Sequence, residues 1–154
     1  MESGVHSERC SDRRVIQMTE EFSIQQTINR YSEGASRADW DQVLSTYAPD
    51  GVWEIPHFGA KFEGHTAIRE ALKHFCDPMD YIVQLNAPAL IDIKEGTATA
   101  RSVIRECGKF VGRDEALEVL GFYADTLVRA PAGWRFSRRV FEVRGMHRFS
   151  LAPG

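Results

Sequence analysis

Two long runs rich in Phe, Tyr, Val, Leu and Trp fill Gly121–Glu142 (GFYADTLVRAPAGWRFSRRVFE) and meet at Pro131-Ala132-Gly133. Pro presets the backbone for the first turn position and Gly relieves strain at its end, so this stretch predicts a β-hairpin. Strands of that length form the middle of a sheet. Whatever the chain binds or converts is expected to lie against them.

The rest of the chain must supply the other strands and a covering layer. At 154 residues it fits one domain with a real core. A net charge of −3 and a pI near 6.0 argue against a nucleic-acid binder. Arg135, Arg138, Arg139, Arg144 and Arg148 crowd the tail half, but a strand sends them to alternating faces rather than into one basic stripe. Cys10, Cys76 and Cys107 show no CxxC spacing, which indicates neither a disulfide framework nor a zinc site and fits a reducing cytoplasm. No apolar run is long enough to cross a membrane, and Met1–Gln17 lacks the apolar core of a secretory signal. Residues 1–18 read as a polar tail, 19–147 as the domain and 148–154 as a C-terminal tail.

A first helix is expected from an N-cap at Thr19, with Ile24, Ile28, Tyr31 and Ala35 on one apolar face and Gly34 weakening its end. A second starts at Asp39, with Gln42 three residues on and Trp40, Val43, Leu44 and Tyr47 at helical spacing until Pro49-Asp50-Gly51 stops it. Val52–Ile55 reads as a short strand, followed by a His57 loop and a possible return strand at Lys61-Phe62. A third helix covers about Thr66 to Phe75. After Asp80 every signal is strand: Tyr81–Ala87, Ala89–Ile93, Thr97–Cys107 and the hairpin. The fold class is therefore α+β: three N-terminal helices packed on a strongly curved, mainly antiparallel sheet, a cone-like barrel enclosing a pocket.

The run IQQTINRYSEGASRADWDQVLSTYAPDGVWEI, with GTATARS at Gly96–Ser102 and GFYADTLVRAPAGWRFSRRVF at Gly121–Phe141, resembles the SnoaL-like family of the nuclear transport factor 2-like superfamily over about Thr19 to Arg144. That superfamily includes dehydratases, a dehydrochlorinase, ketosteroid isomerase and polyketide cyclases, along with non-enzymatic members. For the dehydratase-like branch the resemblance implies an Asp on the first helix and a His on the Tyr81–Ala87 strand. Those positions fall on Ser36 and Ile82, and the isomerase's Asp base falls on Ile55. None of the three can do acid–base work.

Other residues become the candidates. Tyr31 could offer its hydroxyl to a substrate oxygen or serve only as a core tyrosine; Trp53 reads as a pocket aromatic or a core tryptophan. If Ile82 faces inward, Gln84 and Asn86 share its face as neutral hydrogen-bonding groups; the equal alternative for Asn86 is that it only ties down backbone before the Ala-Pro turn. On the last strand, strict alternation sends Trp134, Phe136, Arg138, Val140 and Glu142 inward together. Arg138 would then need Glu142 or a ligand oxyanion as its partner, and the resemblance places it where some relatives carry a functional Arg. His57 lies near a possible cavity mouth. No HExxH, GxGxxG or P-loop spacing occurs, so neither a metal nor a nucleotide cofactor is expected.

The expected function is a pocket for a small apolar or aromatic molecule. It acts either as a cofactor-free lyase, isomerase or cyclase with Tyr31 and Arg138 as the catalytic pair, or as a non-catalytic binding or assembly protein of the same fold. The enzymatic reading calls for one cavity holding Tyr31, Gln84, Asn86 and Arg138, lined by Ser36, Trp53, Ile55, Ile82 and Phe136; dispersal of those four, or an interior filled by Trp53 and Phe136, removes the enzymatic reading built on them. A homodimer is the expected assembly.

Overall fold

The computed structural model describes residues 4–151, with side chains from Asp12 onward. The ends of both expected tails, residues 1–3 and 152–154, and the side chains of His6 and Cys10 lie outside it. The elements run α1 (Gly4–Ser36), α2 (Trp40–Ser45), β1 (Tyr47–Ile55), a 3-10 turn at Pro56–Phe58, β2 (Ala60–Glu63) and α3 (Gly64–Cys76). They continue through β3 (Met79–Asn86), β4 (Leu90–Lys94), β5 (Thr97–Phe110), β6 (Glu115–Ala130) and β7 (Gly133–Ser150). The fold is α+β, with three helices on a mixed seven-stranded sheet of order β2-β1-β7-β6-β5-β3, and β4 pairs with the free stretch of β5. Every ladder is antiparallel except β1–β7. The hairpin does occupy the middle, since β6 and β7 pair with each other along nearly their full lengths.

Two boundaries differ from expectation. Thr19 is no N-cap: its hydroxyl donates to the Val15 carbonyl 2.9 Å away, inside a helix that starts at Gly4. The polar residues before Thr19 include neither Gly nor Pro after Gly4, so nothing local stops the helix. α1 ends at Ser36, two residues after Gly34. A Cβ on Gly34 would lie 3.1 Å from Val43 Cγ2, so the missing side chain lets α2 pack against α1. Tyr47, expected on the second helix, begins β1 and is buried. The Asp39 cap holds, with its Oδ1 accepting from Gln42 N–H at 3.0 Å.

The core explains the remaining patterns. Ile24, Ile28, Tyr31 and Ala35 are all buried, as helical spacing requires. Two contacts fix α1 across the hairpin: Thr27 donates to the Trp134 carbonyl at 3.2 Å, and the Trp134 indole N–H donates to Glu20 at 2.7 Å. Arg129 also pairs with Glu20 and holds its carboxyl below the usual range.

The sheet's central feature is a pair of bulges in β7. Leu127 pairs with Phe136 but Thr126 pairs with Arg138, so Ser137 is an extra residue. Inward positions before it are Trp134 and Phe136; after it they are Arg139, Phe141 and Val143. A second bulge leaves Arg144 unpaired between Val143 and Gly145, and beyond it Met146 and Arg148 take the inward side. Strict alternation across this strand therefore gives the wrong face twice.

Candidate active site

Between the inward face of the sheet and helices α1 and α3 lies a cavity of about 760 Å³. Its floor is apolar and aromatic: Trp53 and Ile55 from β1, Leu72 from α3, Val119 from β6 and Phe141 from β7. This composition suits a largely apolar ligand fixed by a few polar groups.

One carboxyl stands among these side chains. Inward positions on β5 follow the strand period as Ala98, Ala100, Ser102 and Ile104, all buried, and the next is Glu106. Its carboxyl faces the cavity, directly across the ladder from Gln84 on β3, whose Nε2 donates to Oε2 at 2.7 Å. Burial pushes the Glu106 carboxyl above the usual carboxylate range, and the Gln84 hydrogen bond only partly opposes the shift. Tyr123 stands nearby, its hydroxyl 3.5 Å from the same Gln84 nitrogen.

Tyr31 reaches the cavity from α1 and meets Tyr123 edge-on at 5.8 Å between ring centroids. Its hydroxyl has no hydrogen-bond partner among the described residues. Burial pushes the Tyr31 phenol up to about 12 and Tyr123 well above its ordinary value, so both are neutral hydroxyl donors at neutral pH. Beneath them lies Arg139, fully buried, its guanidinium 3.6 Å from the Tyr123 ring centroid, 4.0 Å from Tyr31 and 4.4 Å from Phe136. A desolvated cation on aromatic faces is a strong orienting contact. Such a set can take a proton with the carboxyl and donate hydrogen bonds to an oxygen with the phenols.

The expected site residues divide. Tyr31, Trp53, Ile55, Ile82 and Gln84 line the cavity. Arg138 does not: the Ser137 bulge turns it to the outer face, where Nε and Nη2 donate to Glu54 at 3.0 and 2.8 Å. Glu142 is exposed on that outer face too and pairs with Arg144 at 3.8 Å, so it is not the partner of Arg138. Asn86 passes under α1 and donates to the Ser32 hydroxyl. Ser36 is a backbone tie: its hydroxyl donates to the Ser32 carbonyl at 2.7 Å and accepts from Gln84 N–H at 2.9 Å. Phe136 is wholly buried under the tyrosines and does not reach the cavity. His57 is exposed and does not itself line the cavity, but its ring meets edge-on that of Phe58, which does. The expected foursome is thus split, with Tyr31 and Gln84 together and Asn86 and Arg138 elsewhere.

Nothing in the sequence reading points to Glu106 or Tyr123, and strict alternation along β7 puts Arg139 on the outer face with Arg135, whereas the Ser137 bulge turns it inward and buries it. For Glu106 a signal existed: a carboxylate continuing the small, apolar inward row of a long strand is out of place in a core. Among the described residues no group of three or more His, Cys, Asp and Glu is placed to hold a metal ion. The Cys76 thiol, half-buried beside the cavity, is pushed up to about 12 by burial, then by Glu106, and is no nucleophile.

Proteins that share this architecture or sequence include the following three. The uncharacterized protein Rv2910c of Mycobacterium tuberculosis is 23% identical over 127 residues, covering 82% of this chain and 86% of its own. A Novosphingobium aromaticivorans protein described as a candidate scytalone dehydratase superposes with a TM-score of 0.78 at 19% identity, covering 92% of this chain and 93% of its own. Hexachlorocyclohexane dehydrochlorinase LinA-type3 of Novosphingobium barchaimii superposes with a TM-score of 0.80 at 10% identity, covering 92% of this chain and 99% of its own. At such identities the structural likenesses speak for the fold alone. The SnoaL-like domain model matches residues 17–140, from within α1 to the middle of β7 and most of the chain, and on that match the protein belongs to the SnoaL-like domain family.

Proposed function

We propose that this protein is a lyase, isomerase or cyclase acting on a hydrophobic, ring-containing molecule, with Glu106 as its acid–base group. One observation carries the reading: a desolvated carboxyl, oriented by Gln84 at 2.7 Å, faces an apolar cavity of about 760 Å³. A base of this kind is expected to titrate nearer neutrality than a solvated Glu.

In the proposed step the ionised Glu106 takes a proton from carbon next to a substrate carbonyl. The C–H electron pair moves into the new double bond, and the carbonyl electrons move onto oxygen. The Tyr31 and Tyr123 hydroxyls donate to that oxygen, in a setting from which water is largely excluded. Protonated Glu106 then returns its proton to another carbon, giving an isomer, or to a departing β-hydroxyl, giving loss of water. Gln84 holds the carboxyl, and Trp53 and Phe141 orient the ring.

The test is proton exchange in D₂O. Wild-type protein and Glu106→Gln are incubated with a panel of cyclic ketones and enones, and deuterium uptake next to the carbonyl is followed by NMR. The expected result is acceleration by wild type, lost by about 10²–10⁴-fold in Glu106→Gln. Equal exchange in both proteins would remove Glu106 from the chemistry. A second reading, non-catalytic ligand binding, is favoured by Ser36 and Ile82 at the usual dyad positions, since Ser36 is wholly engaged with backbone. Ring ketones that bind wild type with no exchange would establish that second reading.

A further inference from the structure

The cavity's exposed lining residues form a mouth unlike its floor. Arg113 from the β5–β6 turn, Arg148 from near the end of β7 and His74 from the last turn of α3 are exposed there, around the buried ring of Phe110 at the end of β5. The Arg148 guanidinium lies 4.8 Å from the Phe110 ring centroid and that of Arg113 lies 6.0 Å from the same centroid, so two permanent cations converge on one ring. Arg113 is partly compensated by Glu115 at 3.7 Å; Arg148 has no ion pair among the described residues. Among the described residues Glu106 is the sole carboxylate side chain in the lining, and burial favours its neutral form. In a chain of net charge −3, this is a local reversal of sign.

Arg148 is there because of the second bulge. Were β7 regular after Val143, Gly145 and His147 would face the cavity; the extra residue Arg144 brings in Met146 and Arg148 instead, the latter opposite Leu117. Resting a guanidinium on Phe110 also leaves its N–H edge free, and that fork matches a carboxylate or phosphate.

We propose that the natural ligand is amphipathic, with an apolar ring lying on the Trp53–Phe141 floor and an anionic group held at the mouth by Arg148 and Arg113. The inference rests on the pocket reading given above and adds the ligand's charge to it. A carboxylate and a phosphate ester share the required chemistry. Electrostatic attraction at the mouth would capture the anion, and the ring would then displace water from the apolar floor.

The experiment compares three probes on one ring system: 2-acetylnaphthalene, 2-naphthoate and 2-naphthyl phosphate, titrated into the full chain by calorimetry. The expected result is at least about tenfold tighter binding of one or both anions than of the neutral ketone. Arg148→Gln and, separately, Arg113→Gln should each shrink that preference while leaving the ketone's affinity unchanged. Raising salt from about 50 to about 500 mM should weaken only the anions. Which anion binds tighter identifies the head group. Glu106→Gln should bind the anions at least as well as wild type, which separates this inference from the catalytic one. Ketone binding without any anion preference, or a preference untouched in both arginine variants, overturns the proposal while leaving the pocket intact. Binding of none of the three overturns it together with the pocket reading.

Discussion

Asp125 and Arg139 face each other across β6 and β7, with Oδ1 3.5 Å from Nε and neither side chain reaching solvent. The guanidinium also lies against the rings of Tyr31 and Tyr123. The pair is therefore the foundation on which the two cavity-facing phenols rest. Burial works against the Arg139 charge, and Asp125, followed by the surrounding tyrosine oxygens, sustains it.

Breaking this pair should cost far more than replacing it. Arg139→Met leaves the Asp125 carboxyl buried without its cation, and a loss of about 3–5 kcal/mol in urea denaturation is expected. Asp125→Leu combined with Arg139→Met removes both charges and should recover most of that loss. A single variant within about 1 kcal/mol of wild type would mean that the pair is not a structural foundation.

The same pair should leave a mark on stability against pH. Burial, only partly countered by Arg139, raises the Asp125 carboxyl from 3.8 to about 6, so the folded chain holds this proton more tightly than the unfolded chain. The group's contribution is thus fully present below the unfolded value and is lost as pH rises through about 6. Denaturation of wild type and Asp125→Asn at a series of values from about pH 4 to pH 7 should show the wild-type advantage shrinking as pH rises. An advantage that grows over that interval would contradict the assignment.

Arg138 gives the opposite expectation. It makes two hydrogen bonds to Glu54, but its side chain is 53% exposed and lies on the face away from the cavity. Arg138→Ala should cost no more than about 1 kcal/mol and leave ligand affinity and proton exchange unchanged. A large loss of either would mean that the outer face takes part in function.

The β7 bulges show why sequence reading succeeded at one level and failed at the next. Element order, the Asp39 cap, the apolar stripe of α1 and the central hairpin were legible because each depends on local periodicity or turn chemistry. Which residues of β7 face inward was not. Ser137 and Arg144 are unremarkable residues for a regular strand; the Ser137 bulge falls where β7 pairs with both β6 and β1, a ladder itself irregular between Tyr47 and Val52, and the Arg144 bulge falls beyond the last β1 partner, Val140. One extra residue was enough to exchange Arg138 for Arg139. Glu106 was obscured differently: β5 is read correctly as a strand, but only its register opposite Gln84 shows the carboxyl held inside a cavity.

Tyr31 offers a test that separates function from packing. Its hydroxyl is buried and unpaired, so removing it should relieve a desolvation cost rather than break a bond. Tyr31→Phe keeps the edge-on contacts with Tyr47, Tyr123 and Phe136 and should be as stable as wild type or slightly more so. If the hydroxyl stabilises an oxyanion, exchange should nevertheless fall by about 10²-fold. A variant as active as wild type would reduce Tyr31 to a core residue.

Gln84 makes the assignment of Glu106 testable without removing the carboxyl. Burial raises the Glu106 pKa, and the Gln84 N–H, which favours the ionised form, moderates the rise. Since the ionised carboxyl is the base, the exchange rate should fall on the acidic side as Glu106 takes up its proton, with a midpoint above the ordinary 4.5. Gln84→Leu deletes the moderating hydrogen bond, leaving burial unopposed, so the acidic limb should move to higher pH. Glu106→Gln should abolish the limb along with most of the rate. The measurement is the pH profile of deuterium exchange for the three proteins. A limb that persists in Glu106→Gln, or that moves to lower pH in Gln84→Leu, would assign the titration to another group and leave Glu106 without a catalytic role.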